Sequence, residues 1–553
     1  MWKNIKKKLK TKKYSPVEII IIVFFLLFSL WLMFSTFSYQ NGSMLIATKA
    51  WSDFASHIPL IRSFSFGSNF PPEYSLFPGE PIRYHFLFYL LVGILEKIGV
   101  RIDYALNIPS AIGFFTLLLI IYFFAKKIFK SKVVGIISVI FFLFNGSLSF
   151  IEFLKSQPVS TRILSDIISN KTFPSFGPYD GKIVSAFWNL NIYTNQRHLA
   201  PAFFLSLLII YILLIPVLSK KKTNLKISAC LGIILGLFFF FHLAAFLITI
   251  AVVLVLGILF KELRIAALIV LMVGALISIP QYLFLQSSSS AFEPVLSIGY
   301  LTQANLTIKS FMEYWVLNLG LHTILIPIGV ILAPKNLRKI FLAFLLIFII
   351  GNAIQFSPEI AGNHKFFNYF MLIGVMFSAF ALVKIWKHKF YFKPAVVILF
   401  FFLILSGIID FFPIYNDSKI ALADYPIHPD VKWIMENTNP KSVFLNSQYL
   451  YDPASLAGRK IFLGWPYFPW SAGYDTSKRG ELLKKMLEET EFKSACKLLV
   501  ENDIDYVEII TQNPPDPNIP HISNLYNDAF VKVYENTSKN YSIYKVKPSC
   551  IRI

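Results

Sequence analysis

The chain is short of cysteine and of charge. Three cysteines in 553 residues, Cys230, Cys496 and Cys550, exclude a disulfide-built scaffold, and they show no zinc or redox spacing. Cys230 falls in an apolar stretch, which leaves Cys496 with Cys550 as the one pairing open, and nothing in the sequence requires it. Charged residues make up 15% of the chain, against 56% hydrophobic and 17% aromatic. Soluble domains carry about 25% charged residues, so the composition fits an integral membrane protein instead. Acidic residues are scarcer still: 31 Asp and Glu face 52 Lys and Arg, a formal net charge of +21. That excess would suit nucleic acid, but it falls in short clusters between apolar runs, with no basic face bearing a nucleic-acid motif. The clusters are a topological signal, because Lys and Arg stay on the cytoplasmic side. Internal repeats, low-complexity linkers and paired Gly/Pro-broken spans are also lacking, which argues against an inverted-repeat transporter.

What the chain has in abundance is long apolar runs. A membrane span needs about 20 apolar residues. Eleven candidates occur, at 17–38, 105–125, 133–150, 199–218, 226–241, 243–260, 264–285, 311–333, 339–356, 366–383 and 394–412. The basic run MWKNIKKKLKTKKYSP precedes the first, and no small-residue cleavage site follows, so that segment reads as an uncleaved helix with its N-terminus in the cytoplasm. Connections at 126–132, 219–226, 261–264, 334–339 and 384–393 then fall inside, and all are basic. The scheme requires HFLFYLLVGILEKI, from His85, not to span; it is too short and reads as an amphipathic interfacial helix. The expected fold is therefore a polytopic α-helical membrane protein of about 11 transmembrane helices over 1–412, with outer loops at 39–104 and 151–198. Beyond 412 the composition turns polar, and short β-rich runs (SVFLN, KIFLGW, YVEII, YSIYKV) alternate with helical ones, predicting a C-terminal extracytoplasmic α/β domain over 413–553.

Ionisable groups concentrate in the first outer loop, where 51–88 carries Asp53, His57, Arg62, Glu73, Glu80, Arg83 and His85. Unpaired charge beside hydrocarbon is costly, so such groups tend to be functional. Asp53 and His57 lie four apart, on one face if the segment is helical, and suit either acid–base work or a divalent cation. Glu73 and His85 sit in a proline-stiffened loop and are candidates to orient an acceptor or a metal. The second outer loop ends in YTNQRHLAPAFF, where Arg197 and His198 meet the membrane. Arg is suited to phosphate, and Lys365 in NHK is a second candidate for the same charge. His242, between two short apolar runs, reads as a packing residue. The aromatic stretch LAGRKIFLGWPYFPWSAGYDTSKR in the C-terminal part suits either a sugar or docking onto the membrane region.

The run YHFLFYLLVGILEKIGVRIDYALNIPSAIGFFTLLLIIYFFAKKIFKSKVVGIISVIFFLFNG, from Tyr84, resembles the N-terminal core of GT-C glycosyltransferases, in the protein O-mannosyltransferase and aminoarabinose-transferase branch. A juxtamembrane helix, an entry like ALRLPSA (105–111) and a basic inner turn (126–130) carry the likeness. The resemblance implies a sugar transferase that uses a polyprenyl-phosphate-linked donor and membrane lipid at the extracytoplasmic face of the plasma (inner) membrane. It implies a catalytic acid soon after the first span, at Asp53. The family shows a second acid beside it, where this chain has Phe54, and His57 is the neighbour placed to share the role. Arg197, His198 and Lys365 would then bind the donor phosphate. A divalent cation such as Mg2+ or Mn2+ is a candidate cofactor; sugar and acceptor stay open. The alternatives are a polyprenyl-lipid or glycolipid transporter or flippase, and a non-catalytic lipid-binding relative.

Overall fold

The computed structural model describes residues 15–157, 161–175, 181–219, 223–286, 293–511 and 518–550, so the basic N-terminal run lies outside the described residues. Helix α1, Pro16–Thr36, starts with a capping box between Ser15 and Glu18. Glu18 also pairs with Lys126 and, at 3.2 Å, with Lys132, tying the start of α1 to the 126–132 turn. At its other end α1 runs into a hairpin of β1, Phe37–Gln40, and β2, Ser43–Ala47. Asn41 and Gly42 form its turn, both with positive φ, as a tight two-residue hairpin needs. Helix α2, Trp51–Ser65, follows, then a small hairpin of β3, Glu73–Tyr74, and β4, Phe77–Pro81. Helix α3, Leu87–Lys97, is the expected amphipathic helix and lays Phe88, Tyr89, Val92, Gly93 and Glu96 inward.

The helical body continues through α4, Ile102–Phe129, α5, Leu199–Ser219, α6, Leu225–Phe241, α7, Leu243–Leu259, and α8, His364–Trp386. All eleven apolar segments hold helix, but among the described residues seven helices by themselves are long and apolar enough to cross a membrane. The protein is thus a multi-pass membrane protein. The expected straight span at 311–333 is instead two helices, Ile308–Leu319 and His322–Leu332, bent by 87°. Gly320 makes the break: its φ is +54°, and a Cβ there would stand 1.9 Å from the Gly146 carbonyl oxygen. Counting that pair gives an eighth span. The segment Lys132–Leu143 is 12 residues, roughly 18 Å of helix and well short of a bilayer core. α6 and α7 are each 17 residues. A short pairing of β5, Val295–Leu296, with β6, Ile354–Gln355, joins two loops of this body.

The C-terminal part is an α/β unit. β7, Lys419–Ala423, pairs antiparallel with β2 of the first loop. β8, Val443–Leu445, runs parallel to β9, Lys460–Ile461, and to β10, Tyr506–Ile510. β11, Val531–Asn536, and β12, Tyr541–Lys545, complete the five-stranded sheet in the order β11-β12-β10-β8-β9. Cys496 and Cys550 are disulfide-bonded. One hydrophobic core joins Phe54, Ile58, Phe77, Ile82 and Val92 of the first loop to Val431, Phe444, Phe462 and Val507 of the C-terminal part. The two segments that the sequence separates pack as one body on the end of the helices.

Candidate functional site

The site is built from the start of α2. The turn before it, Thr48–Ala50, is fixed by Asp417, which accepts hydrogen bonds from Thr48 Oγ1 and from the Lys49 amide (3.0 Å) and pairs with Lys49 Nζ (3.0 Å). Asp53 therefore stands in an anchored first helical turn, where exposed amides favour a carboxylate. Its Oδ2 accepts a hydrogen bond from Asn195 Nδ2 at 3.1 Å, and the same amide donates to the Lys49 carbonyl at 2.9 Å. Burial raises the Asp53 pKa to about 6; the Asn195 hydrogen bond and the charge of Lys365 oppose that rise. Lys365 lies in the first turn of α8, half-buried, with no ion pair or hydrogen bond among the described residues. Its charge acts on Asp53, His85, His198 and His242 alike.

Beside this pair lies a group of imidazoles. His85 and His198 meet Nε2 to Nε2 at 2.6 Å, and His198 Nδ1 is held by the Tyr89 hydroxyl at 2.7 Å. His242, at the α6–α7 junction, stacks on His85 at 4.7 Å between ring centres. Its Nδ1 caps α7 by accepting from the Ala245 amide at 3.3 Å, while its Nε2 is buried without a partner. Tyr84 stacks on the other side of His85, at 3.8 Å. His57, one turn after Asp53, lies tilted against Tyr89 at 4.8 Å and meets the edge of His198 at 6.0 Å between ring centres. Burial pushes all four imidazoles below their usual range, His57 and His242 to about 3, so they act as neutral rings at neutral pH. A groove of about 380 Å³, lined by Thr48, Lys49, Ser52, Lys171, Thr172 and Phe173, opens beside the first turn of α2.

No family model and no curated protein matches the chain. Solved structures do. The apo crystal structure of the Archaeoglobus fulgidus oligosaccharyltransferase superposes with a TM-score of 0.52 at 12% identity, covering 89% of this chain and 69% of that one. The two share a fold. The same enzyme in complex with Zn and sulfate gives a TM-score of 0.49 at 13% identity, covering 95% and 73% of the two chains. As AglB, in complex with an inhibitory peptide and a dolichol-phosphate, it gives 0.48 at 12% identity, over 96% and 75%.

Within this fold, the residues singled out in sequence divide. His57, His85 and His198 come together from two loops, with Asp53 one turn before His57 and Lys365, from a third part of the chain, near enough for its charge to act on Asp53, His85 and His198. Arg197 also acts on His57 through its charge, but its hydrogen bonds go elsewhere. Its guanidinium is fully buried and donates to Thr36 Oγ1 (2.7 Å), Asn107 Oδ1 (3.3 Å) and the Met33 carbonyl (3.3 Å), clamping the end of α1 to α4. Glu73 pairs with Lys460 at 2.6 Å and accepts from the Gly79 amide, clipping the small hairpin to the C-terminal part. Asp53 and His57 share a helix face but no hydrogen bond among the described residues; the partner of the carboxylate is Asn195. The aromatic stretch of the C-terminal part docks: Arg479 lies over Phe77 at 4.0 Å and donates to the Pro78 carbonyl, and Tyr474 stacks on Tyr74.

Sequence reasoning missed Asn195, Tyr84 and Tyr89, and read His242 as packing alone. Tyr84 and Tyr89 flank His85 in the sequence, but nothing there marks Tyr89 as the partner of His198. Asn195 had no signal, since its partner Asp53 belongs to another loop. Among the described residues the one cluster with metal-ligand spacing is His85, His198 and His242. A hard Mg2+ needs oxygen ligands, which these nitrogens do not supply.

Proposed function

We propose that this protein is a membrane glycosyltransferase that moves a sugar from a polyprenyl-phosphate donor to an acceptor on the extracytoplasmic face. The observation that carries the reading is the carboxylate of Asp53, held by the Asn195 amide at 3.1 Å, with the Lys365 ammonium, which has no ion pair among the described residues, near enough for its charge to oppose the rise in the Asp53 pKa. In a single inverting displacement, the acceptor hydroxyl oxygen bonds to the anomeric carbon as the bond from that carbon to the phosphate oxygen breaks. The hydroxyl proton passes to Asp53, and such a positioned base contributes about 10²–10⁴-fold. The leaving polyprenyl phosphate keeps the bonding electron pair, and its added negative charge develops beside Lys365. His57 and the paired His85 and His198 border the reacting groups and hold their orientation. The groove beside Ser52 admits the acceptor. The basic inner connections support a plasma (inner) membrane protein with a cytoplasmic N-terminus, the C-terminal unit outside. A fold shared with an oligosaccharyltransferase supports the reaction class.

The test uses full-length protein in vesicles with a radiolabelled polyprenyl-phosphate sugar. The reading expects label to leave the lipid and appear on an acceptor. Label that crosses the vesicle membrane still attached to its lipid would make the protein a transporter, and label that stays put under saturating acceptor extract would make it a lipid-binding relative.

A further inference from the structure

We propose that His85, His198 and His242 form a binding site for one divalent transition-metal ion, best suited to zinc. The three imidazoles come from the loop before α3, the residue before α5, and the α6–α7 junction, so no local helical pattern brings them together. Each offers a ligand nitrogen, and those nitrogens lie within 4.8 Å of one another. His198 and His242 are fully buried, and His85 is half-buried. Burying three imidazoles in contact has no compensation from a carboxylate: among the described residues none pairs with them. The arrangement leaves a loose end as well, since His242 Nε2 is buried with no hydrogen-bond partner among the described residues. An ion bound by the three nitrogens would account for both features.

The donor set selects the metal. All-nitrogen sites favour zinc and its neighbours over magnesium or calcium, which take oxygen. Three histidines with a fourth position open is the ligand set of zinc sites that bind a further ligand, whereas closed structural sites use four protein groups. Zn–N bonds of about 2.0–2.1 Å put tetrahedral ligands roughly 3.4 Å apart. The nitrogens here bracket that separation, from 2.6 Å between His85 and His198 to the 4.8 Å limit of the group. The Tyr89 hydroxyl on His198 Nδ1 is the outer partner that fixes which nitrogen faces the ion. Binding through His242 Nε2 would move that ring's proton to Nδ1 and give up the long 3.3 Å contact with the Ala245 amide. Lys365 adds positive charge to the surroundings of all three rings, which favours an anion as the further ligand. If the glycosyltransferase reading holds, that anion is the donor's phosphate; the metal site itself does not rest on that reading.

The experiment measures metal in the purified full-length protein, equilibrated with zinc and freed of excess, by plasma mass spectrometry. It then follows cobalt(II) replacement by visible absorption. A single equivalent of zinc per chain is expected, together with the intense visible bands of tetrahedral cobalt. Zinc content should fall severalfold in His242→Ala and persist in Asp53→Asn. Wild-type protein that holds no more zinc than the triple His85→Ala, His198→Ala, His242→Ala variant overturns the proposal. Where the histidine variants do not fold, wild-type cobalt bands that vanish on chelation support it, and their absence overturns it. A metal-loaded protein that transfers no sugar would refute the proposed function and leave this site standing.

Discussion

Asp53 is held between opposing influences: burial disfavours its charge, while the Asn195 amide and the Lys365 ammonium favour it. With its pKa raised to about 6, the carboxylate is mostly ionised at pH 7 and is lost as a base when pH falls through that value. Turnover should therefore show an acid limb with an apparent pKa near 6. Asn195→Ala removes the one donor to the carboxylate among the described residues and should move that limb to higher pH, which a pH–rate series on purified protein will read. Arg197 yields a different expectation. Because its donors go to Thr36, Asn107 and the Met33 carbonyl, Arg197→Leu should act on stability, at roughly 1.5–3 kcal/mol per lost charge-assisted hydrogen bond. A detergent melt that leaves the variant as stable as wild type would return Arg197 to the list of phosphate ligands. Charge near a membrane was legible in the sequence, but what each charge faces was not. Asp53, His85 and Lys365 look no different in sequence from Glu73, whose partner Lys460 lies in the C-terminal part.

At the scale of elements, α2 carries both roles of the first loop. Its first turn presents Asp53, and its last turn places Arg62 between Asp424 at 2.9 Å and Glu96 at 3.2 Å, with Ser65 donating to Glu96 at 2.6 Å. That network joins α2 to α3 and to the segment following β7, and all three charged groups are buried. Arg62→Met would strand two buried carboxylates, a change that costs about 3–5 kcal/mol. Melting curves should show that loss, and Glu96→Gln with Asp424→Asn in the same chain should recover part of it. Apolar run length made most of the helices readable, because hydropathy averages over a span. The same averaging hid the break at Gly320, which is set by one backbone contact with Gly146.

For the whole molecule, the decisive feature is the shared core of the first loop and the C-terminal part. It depends on β2 pairing with β7 and on Phe54 and Phe77 packing with residues beyond 430, long-range contacts that no local pattern announces. The C-terminal α/β unit was readable from its alternating runs; its union with the loop was not. The Cys496–Cys550 bridge closes a sequence separation of 54 residues, worth about 4 kcal/mol by chain entropy. Cys496→Ser with Cys550→Ser should lower the melting temperature of the C-terminal unit and, through the shared core, loosen the anchor of α2. Hydrogen exchange at 48–65 in that variant will show whether the coupling exists. The most direct measurement is sugar transfer from a radiolabelled polyprenyl-phosphate donor by full-length Asp53→Asn beside wild type. A fall of about 10²–10⁴-fold in turnover with donor binding preserved is the predicted result. Full transfer by Asp53→Asn would contradict the account.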